Sequence, residues 1–229
     1  MPPPRASNRF PDLSLESQLR AHGYACIAGL DEAGRGAWAG PLMAAAVVLP
    51  LQRPELAGLL HGVRDSKQMT PRQRQRWADV IEQLAIATAV AQASVEEVEA
   101  LGPLRASRLA MTRALAGLQP APDHLLIDYL RLPEVPLPQT ALPHGDAQVL
   151  SIAAASVLAK VARDRFMALQ DALYPAYRFG RHKGYGTPQH RRALDELGPS
   201  PIHRITYAPV AQAASLLLDS ITKCNGVLE

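Results

Sequence analysis

Between Val149 and Leu173 the chain runs without a single glycine or proline, and Ile152, Ala155, Leu158, Ala162, Phe166 and Leu169 recur there at helical spacing. A run of that length with one apolar stripe predicts a long helix, and the stripe is stable only when it is buried against another apolar surface. Shorter runs supply that surface. Ala25–Leu30 leads into a glycine-rich turn and Leu42–Leu49 follows it, which predicts two strands joined by a loop over Asp31–Gly40. Thr70 and Pro71 predict the N-cap and first turn of a helix reaching Leu84, with a strand over Ile86–Ala93 behind it and a capping box at Ser94 and Glu97. A helix over Leu104–Leu118 stops before Pro120, and Leu125–Ile127 reads as a short buried strand ending at Asp128. Thr187 and Pro188 open a short helix closed by Gly198, and a last helix is expected after Pro209. Strands and helices mixed in this way predict an α/β class, one mixed sheet flanked by helices.

The 229 residues fit one main core, and 48% hydrophobic with 20% charged residues describe a soluble globular protein. No apolar run is long enough for a membrane span, so no membrane partner is expected. Cys26 and Cys224 stand far apart with no paired spacing, which argues against a disulfide framework or thiolate zinc site and fits a reducing cytoplasm. The formal charge of +3 permits a polyanionic partner without requiring one. Pro2, Pro3, Pro4 and Pro11 sit among mixed charges, so residues 1–22 are expected as a flexible tail; one globular domain over 23–210 and a C-terminal helix and tail over 211–229 are expected to follow.

Asp31-Glu32-Ala33-Gly34-Arg35-Gly36 ends an apolar run in two acids. An acidic turn alone is more often a solvated loop. A dinucleotide fingerprint fails here, because the glycine spacing is one residue too long, the next segment reads as a strand, and the acids stand where a pyrophosphate would approach. Acids gathered from separate strand ends instead suit a hard divalent cation, Mg2+ or Mn2+, that relieves their mutual repulsion. Asp31, Glu32 and Asp128 are the candidates. Two such ions about 3.5–4 Å apart can serve an in-line phosphoryl displacement and need about three or four carboxylates. The fourth could be Asp146, which follows Gly145 in a polar loop, or Asp164, whose flanking Arg163 and Arg165 give it a blander role.

Tyr174, Tyr177, Arg178, Phe179, Arg181, His182, Lys183 and Tyr185 concentrate aromatic rings beside cations, a composition suited to a polynucleotide and equally able to close a core. On the long helix Ser156, Lys160 and Arg163 fall on one face opposite the apolar stripe, as residues reaching phosphates would. Arg72, Arg74 and Arg76 are expected to be merely exposed, and His124 structural.

These blocks, together with Asp65-Ser66-Lys67, the segment Ser151–Arg165, His182–Thr187 and His203-Arg204, follow one another as in bacterial ribonuclease HII, and the chain resembles that family from Cys26 to Val210. The resemblance implies a ribonuclease H-like fold with additional C-terminal helices, and metal-site acids at Asp31, Glu32, Asp128 and Asp146. It implies a ribonucleotide sensor made of Gly34, Arg35, Gly36 and Tyr185, and phosphate contacts at Ser66 and Lys67. Glycines admit close backbone approach and an aromatic ring can stack on a sugar or base. The activity implied is endonucleolytic hydrolysis of RNA in RNA–DNA hybrids and 5′ to single ribonucleotides in DNA, leaving 3′-hydroxyl and 5′-phosphate ends. The implied partners are such hybrids and ribonucleotide-containing DNA, acted on by a monomer. The rival reading is a hybrid-binding module without chemistry. The chain departs from the family pattern in having Tyr129-Leu130 after the third acid, where Gly-Asn is usual, and His144 before Gly145, where Lys is usual.

Overall fold

The structure is a computed structural model and describes residues 10–225. The described residues divide into two compact units, one made of residues 10–33, 43–92 and 107–162 and the other of residues 34–42, 93–106 and 163–225.

The first unit is built on a five-stranded mixed sheet of order β3-β2-β1-β4-β5. Its strands are β1 (Ile27–Ala33), β2 (Leu42–Val48), β3 (Ala87–Ala93), β4 (His124–Asp128) and β5 (Gln139–Leu142). β1 runs antiparallel to β2 and parallel to β4, and β4 runs parallel to β5. Three neighbouring strands therefore finish at one edge, the edge where a parallel sheet presents its carboxyl ends.

The long helix forms as predicted, as α5 (Leu150–Leu173). From Leu150 to Ala159 every residue is buried, so the helix passes through the core instead of lying over it with one wet face. Gly29 makes the approach possible: a Cβ there would stand 2.2 Å from the Ser151 carbonyl carbon. Ala153, Val157 and Leu158 of α5 join Val47 of β2, Leu56 of the short helix α2 (Leu56–Leu59) and Ala78 and Ile81 of α3 (Pro71–Leu84) in one cluster. Each buried Val, Leu or Ile side chain of this cluster stabilises the fold by about 1.5–3 kcal/mol. Thr70 and Gln73 complete the capping box that starts α3.

Three expectations are corrected. Residues 14–21, inside the stretch expected to be a flexible tail, form α1 (Ser14–Ala21), because Leu15 and Leu19 find an apolar cluster at Ile27 and Ile152. Residues 1–9 of that tail lie outside the described residues. β1 continues through Asp31 and Glu32 to Ala33, since the ladder to β2 supplies hydrogen bonds that outweigh the turn preference of the acids. The helix expected over Leu104–Leu118 forms as the second part of α4 (Val95–Ala116), set apart from the part that starts at Val95 by left-handed Gly102 before Pro103. Arg74 is buried rather than exposed, its Nη1 donating to the carbonyls of Ser66 and Met69.

The second unit holds two short helices, α6 (Phe179–His182) and α7 (Pro188–Leu197), and α8 (Ala208–Asn225). Its core gathers Ala39, Met167, Tyr177, Phe179 and Ala193. The two rings expected either to close a core or to meet a ligand, those of Tyr177 and Phe179, do the former, stacked with centroids 5.2 Å apart. No helix among the described residues is long and apolar enough to cross a membrane.

Candidate active site

The parallel ladder dictates where the acids meet. Leu30 pairs with Ile127, so the next residues, Asp31 and Asp128, stand side by side where β4 ends. Asp128 in turn pairs with Leu142 of β5, and the chain then bends through His144 in the left-handed region into a 3₁₀ turn over Gly145–Ala147 that carries Asp146. The Gly145 N–H donates to Asp128 Oδ1 at 2.7 Å, tying the third acid to the loop of the fourth. Gly145 is fitted to this spot, since a Cβ would press to 2.7 Å from Ile152 Cδ1.

Asp31 is buried, and its carboxyl is held well above the usual carboxylate range, first by that burial and then by the neighbouring charges of Glu32, Asp128 and Asp146. Its Oδ1 accepts a hydrogen bond from the Glu32 N–H, a smaller opposing effect. Asp146 is also raised, by burial and then by Asp65, Asp128 and a hydrogen bond with Asp65, against the lowering effect of Lys67. Lys67 Nζ stands 3.6 Å from Asp146 Oδ2 and 3.8 Å from Asp65 Oδ1. Its burial would lower the ammonium pKa, but the carboxylates of Asp65, Asp146, Asp31 and Asp128 together reverse this and raise it. One lysine against five carboxyl groups leaves an excess of negative charge at the sheet edge.

A divalent cation fits this donor set. All the groups are hard oxygen ligands, and like charges in a buried site ionise together only beside a counter-charge. Among the described residues, no three His, Cys, Asp or Glu side chains already close around one ion position.

Ser66 and Ser156, expected as phosphate contacts, are buried and share a hydrogen bond of 2.8 Å between their hydroxyls. Lys67 is exposed and Lys160 half-buried. Asp65 is the acid the sequence did not single out. Its signal, a carboxylate one residue before Ser66, is the N-cap of a 3₁₀ turn, where its Oδ1 accepts from Lys67 N–H at 2.9 Å. Asp164, the alternative fourth acid, belongs to the second unit, whereas Asp31, Glu32, Asp65, Asp128 and Asp146 belong to the first.

In the second unit Gly34 is buried in the left-handed region, while Arg35 and Gly36 are exposed. Tyr185 and Lys183 are half-buried. Arg163, expected to reach phosphates, is fully buried, and this corrects the expectation: its guanidinium is occupied by backbone carbonyls at Ala39, Pro41 and Lys183. Tyr129 and His144, the two departures from the family pattern, share a backbone feature, both having left-handed φ (59° and 55°).

The profile of the family described as Ribonuclease HII matches residues 28–210. Ribonuclease HII of Chloroflexus aggregans is 53% identical over 206 residues, 90% of this chain and 97% of its own. Ribonuclease HII of a Thermus thermophilus strain is 53% identical over 187 residues, 82% and 88% of the two chains. Among solved structures, ribonuclease H2 of Pyrococcus horikoshii superposes with a TM-score of 0.71 at 25% identity, covering 83% of this chain and 98% of that one. Bst-RNase HIII, crystallised in complex with Mn2+, shares the fold with a TM-score of 0.66 at 20% identity over 92% and 76% of the two chains.

Proposed function

The chain belongs to the ribonuclease HII family and is a metal-dependent endoribonuclease of RNA–DNA hybrids, and from that premise we propose how its residues divide the work. Asp31, Glu32, Asp128 and Asp146 hold the metal, Mg2+ or Mn2+. Once bound there, the metal would supply Lewis acidity for hydrolysis of the phosphodiester. Asp31 is the central ligand, because its buried carboxyl depends most on a counter-charge. Lys67, at the rim of the acids, offers its ammonium to a phosphate oxygen and holds Asp146 in place. The Ser66–Ser156 hydroxyl pair fixes the turn that presents Lys67.

Gly34, Arg35 and Gly36 approach the ribose, and Tyr185 stacks beside it, so that a 2′-hydroxyl selects the scissile position. Cleavage falls 5′ to the ribonucleotide and leaves 3′-hydroxyl and 5′-phosphate ends, both in hybrids and at single ribonucleotides in DNA. Lys160 and Lys183 contribute phosphate contacts. The protein acts as a monomer in the cytoplasm.

The observation that supports this most is the buried Asp31 carboxyl with three further acids acting on it. The test is a duplex carrying one ribonucleotide beside its all-DNA counterpart, each incubated with Mn2+, with Mg2+ and with a chelator. Cutting of the first alone, 5′ to the ribonucleotide and only with metal, is expected. Asp31→Asn is expected to lose at least about a thousand-fold in rate while still binding hybrid. Cutting of the all-DNA duplex, or a fully active Asp31→Asn, would overturn the assignment.

A further inference from the structure

Burying a guanidinium is costly unless its donors are satisfied, and the second unit buries two. Arg163 Nη1 donates to the Lys183 carbonyl at 2.7 Å, Nη2 to that of Ala39 at 2.9 Å and Nε to that of Pro41 at 3.2 Å. Its Cζ lies 5.1 Å from the centroid of the Tyr185 ring. On the other side it packs on Gly34 so tightly that a Cβ there would stand 2.0 Å from Nε. One planar group therefore touches three things at once: the glycine turn, the stretch of chain leaving that turn, and the loop that carries Tyr185.

Arg204 fixes the same turn from a second direction. Its Nη1 donates to the carbonyls of Gly34 and Arg35 at 2.8 and 3.1 Å, and Nε and Nη2 both donate to that of Gly40. Tyr207 Oη donates to the Arg35 carbonyl as well, at 2.7 Å. These bonds of Arg204 all end on the turn side, so the side-chain bridge from the turn to the Tyr185 loop is that of Arg163, beside the backbone bond from the Trp38 N–H to the Gly184 carbonyl at 2.8 Å.

We propose that Arg163 is a positioning residue for ribonucleotide selection: it touches no substrate, but sets the register between the Gly34–Gly36 turn and the Tyr185 ring. This rests on the reading of the turn and Tyr185 as the ribose sensor. A methionine could fill the same volume, yet would leave the buried carbonyls of Ala39 and Pro41 without this donor. A lysine keeps the charge, but its single ammonium cannot span three divergent acceptors or offer a flat face to the ring. Burial lowers the Arg163 pKa to about 10, which leaves it charged at neutral pH. A shift of about 1 Å in a positioning contact can cost on the order of a hundred-fold.

The experiment compares kcat/KM for a single-ribonucleotide duplex with that for a uniform RNA–DNA hybrid, in the wild type, Tyr185→Ala, Arg163→Lys and the double variant. Arg163→Lys is expected to lower the ratio at least ten-fold, toward that of Tyr185→Ala, with no further fall in the double variant and with unchanged dependence of hybrid cleavage on Mn2+ concentration. If Tyr185→Ala leaves the ratio unchanged, the sensor reading itself fails. If Tyr185→Ala lowers it and Arg163→Lys does not, or if the two effects simply multiply, the positioning role of Arg163 is wrong. Should Arg163→Lys not fold, Gly34→Ala displaces the guanidinium from the turn side. Gly34→Ala and Tyr185→Ala should then be non-additive, whereas additive effects would overturn the proposal.

Discussion

Single residues carry opposing demands at the acid cluster. A carboxyl whose folded pKa is raised binds a proton more readily in the folded than in the unfolded chain, so its share of stability is present at low pH and is lost as pH rises through the folded value. Asp31 is such a group. Metal-free protein is therefore expected to melt at lower temperature at pH 8 than near pH 5 on this account, and Asp31→Asn to raise the pH 8 melting point by the equivalent of about 1 kcal/mol or more. Added Mn2+ should raise the wild-type melting point, by roughly 2.7 kcal/mol of stability at a hundred times its dissociation constant, and raise that of Asp31→Asn much less. Melting curves with and without chelator check both. Tyr129 poses the reverse case, a side chain on a left-handed backbone that costs about 1–2 kcal/mol and that glycine adopts freely. Tyr129→Gly is expected to stabilise the protein by about 1 kcal/mol, read from urea unfolding, and a loss of that size would show that the phenol contributes more than its backbone costs.

Elements are joined by buried polar groups that their sequence neighbours do not explain. Glu16 of α1 is fully buried, and its Oε1 accepts from the Ser151 N–H at the start of α5. Glu16→Ala removes that cap and should cost about 1–2 kcal/mol, while Glu16→Gln, which keeps an acceptor oxygen, should cost much less. In the second unit a chain of imidazoles supports the loop of Tyr185. The Ser200 N–H donates to His203 Nδ1, which leaves His203 Nε2–H to donate to His190 Nε2 at 2.9 Å and His190 Nδ1–H to donate to the Tyr185 carbonyl. Burial, then neighbouring imidazoles, lower His190 to about 4 and His203 to about 3. Depressed values mean that the unfolded chain takes up protons first, so stability should fall as pH drops from about 6.5 toward 4, and the double variant His190→Gln with His203→Gln should show a flatter slope. A melting temperature indifferent to pH in that window would contradict the neutral pair.

For the whole molecule, the order of the motifs and the buried helical run were legible in the sequence, as were the class, α3, α5, α7 and the strand that ends at Asp128, because these follow from local periodicity and capping. Binding should be electrostatic as well. Hybrid affinity should fall steeply with salt, and Lys183→Ala should reduce the logarithmic salt slope by about one, measured by titration at several ionic strengths. The tertiary structure alone decided which side chains share a site. β5 is not legible in the sequence because four half-buried residues between prolines carry no period of their own, yet its parallel pairing with β4 is what brings Asp146 to the edge where Asp31 and Asp128 end. Arg163 reads as a surface cation in the sequence because helical spacing tells which residues share a face, and not whether that face meets water or the backbone of a distant segment. Local spacing determines elements and names the reactive residue types, whereas burial and partnership depend on contacts between positions more than a hundred residues apart, such as Arg163 with Ala39.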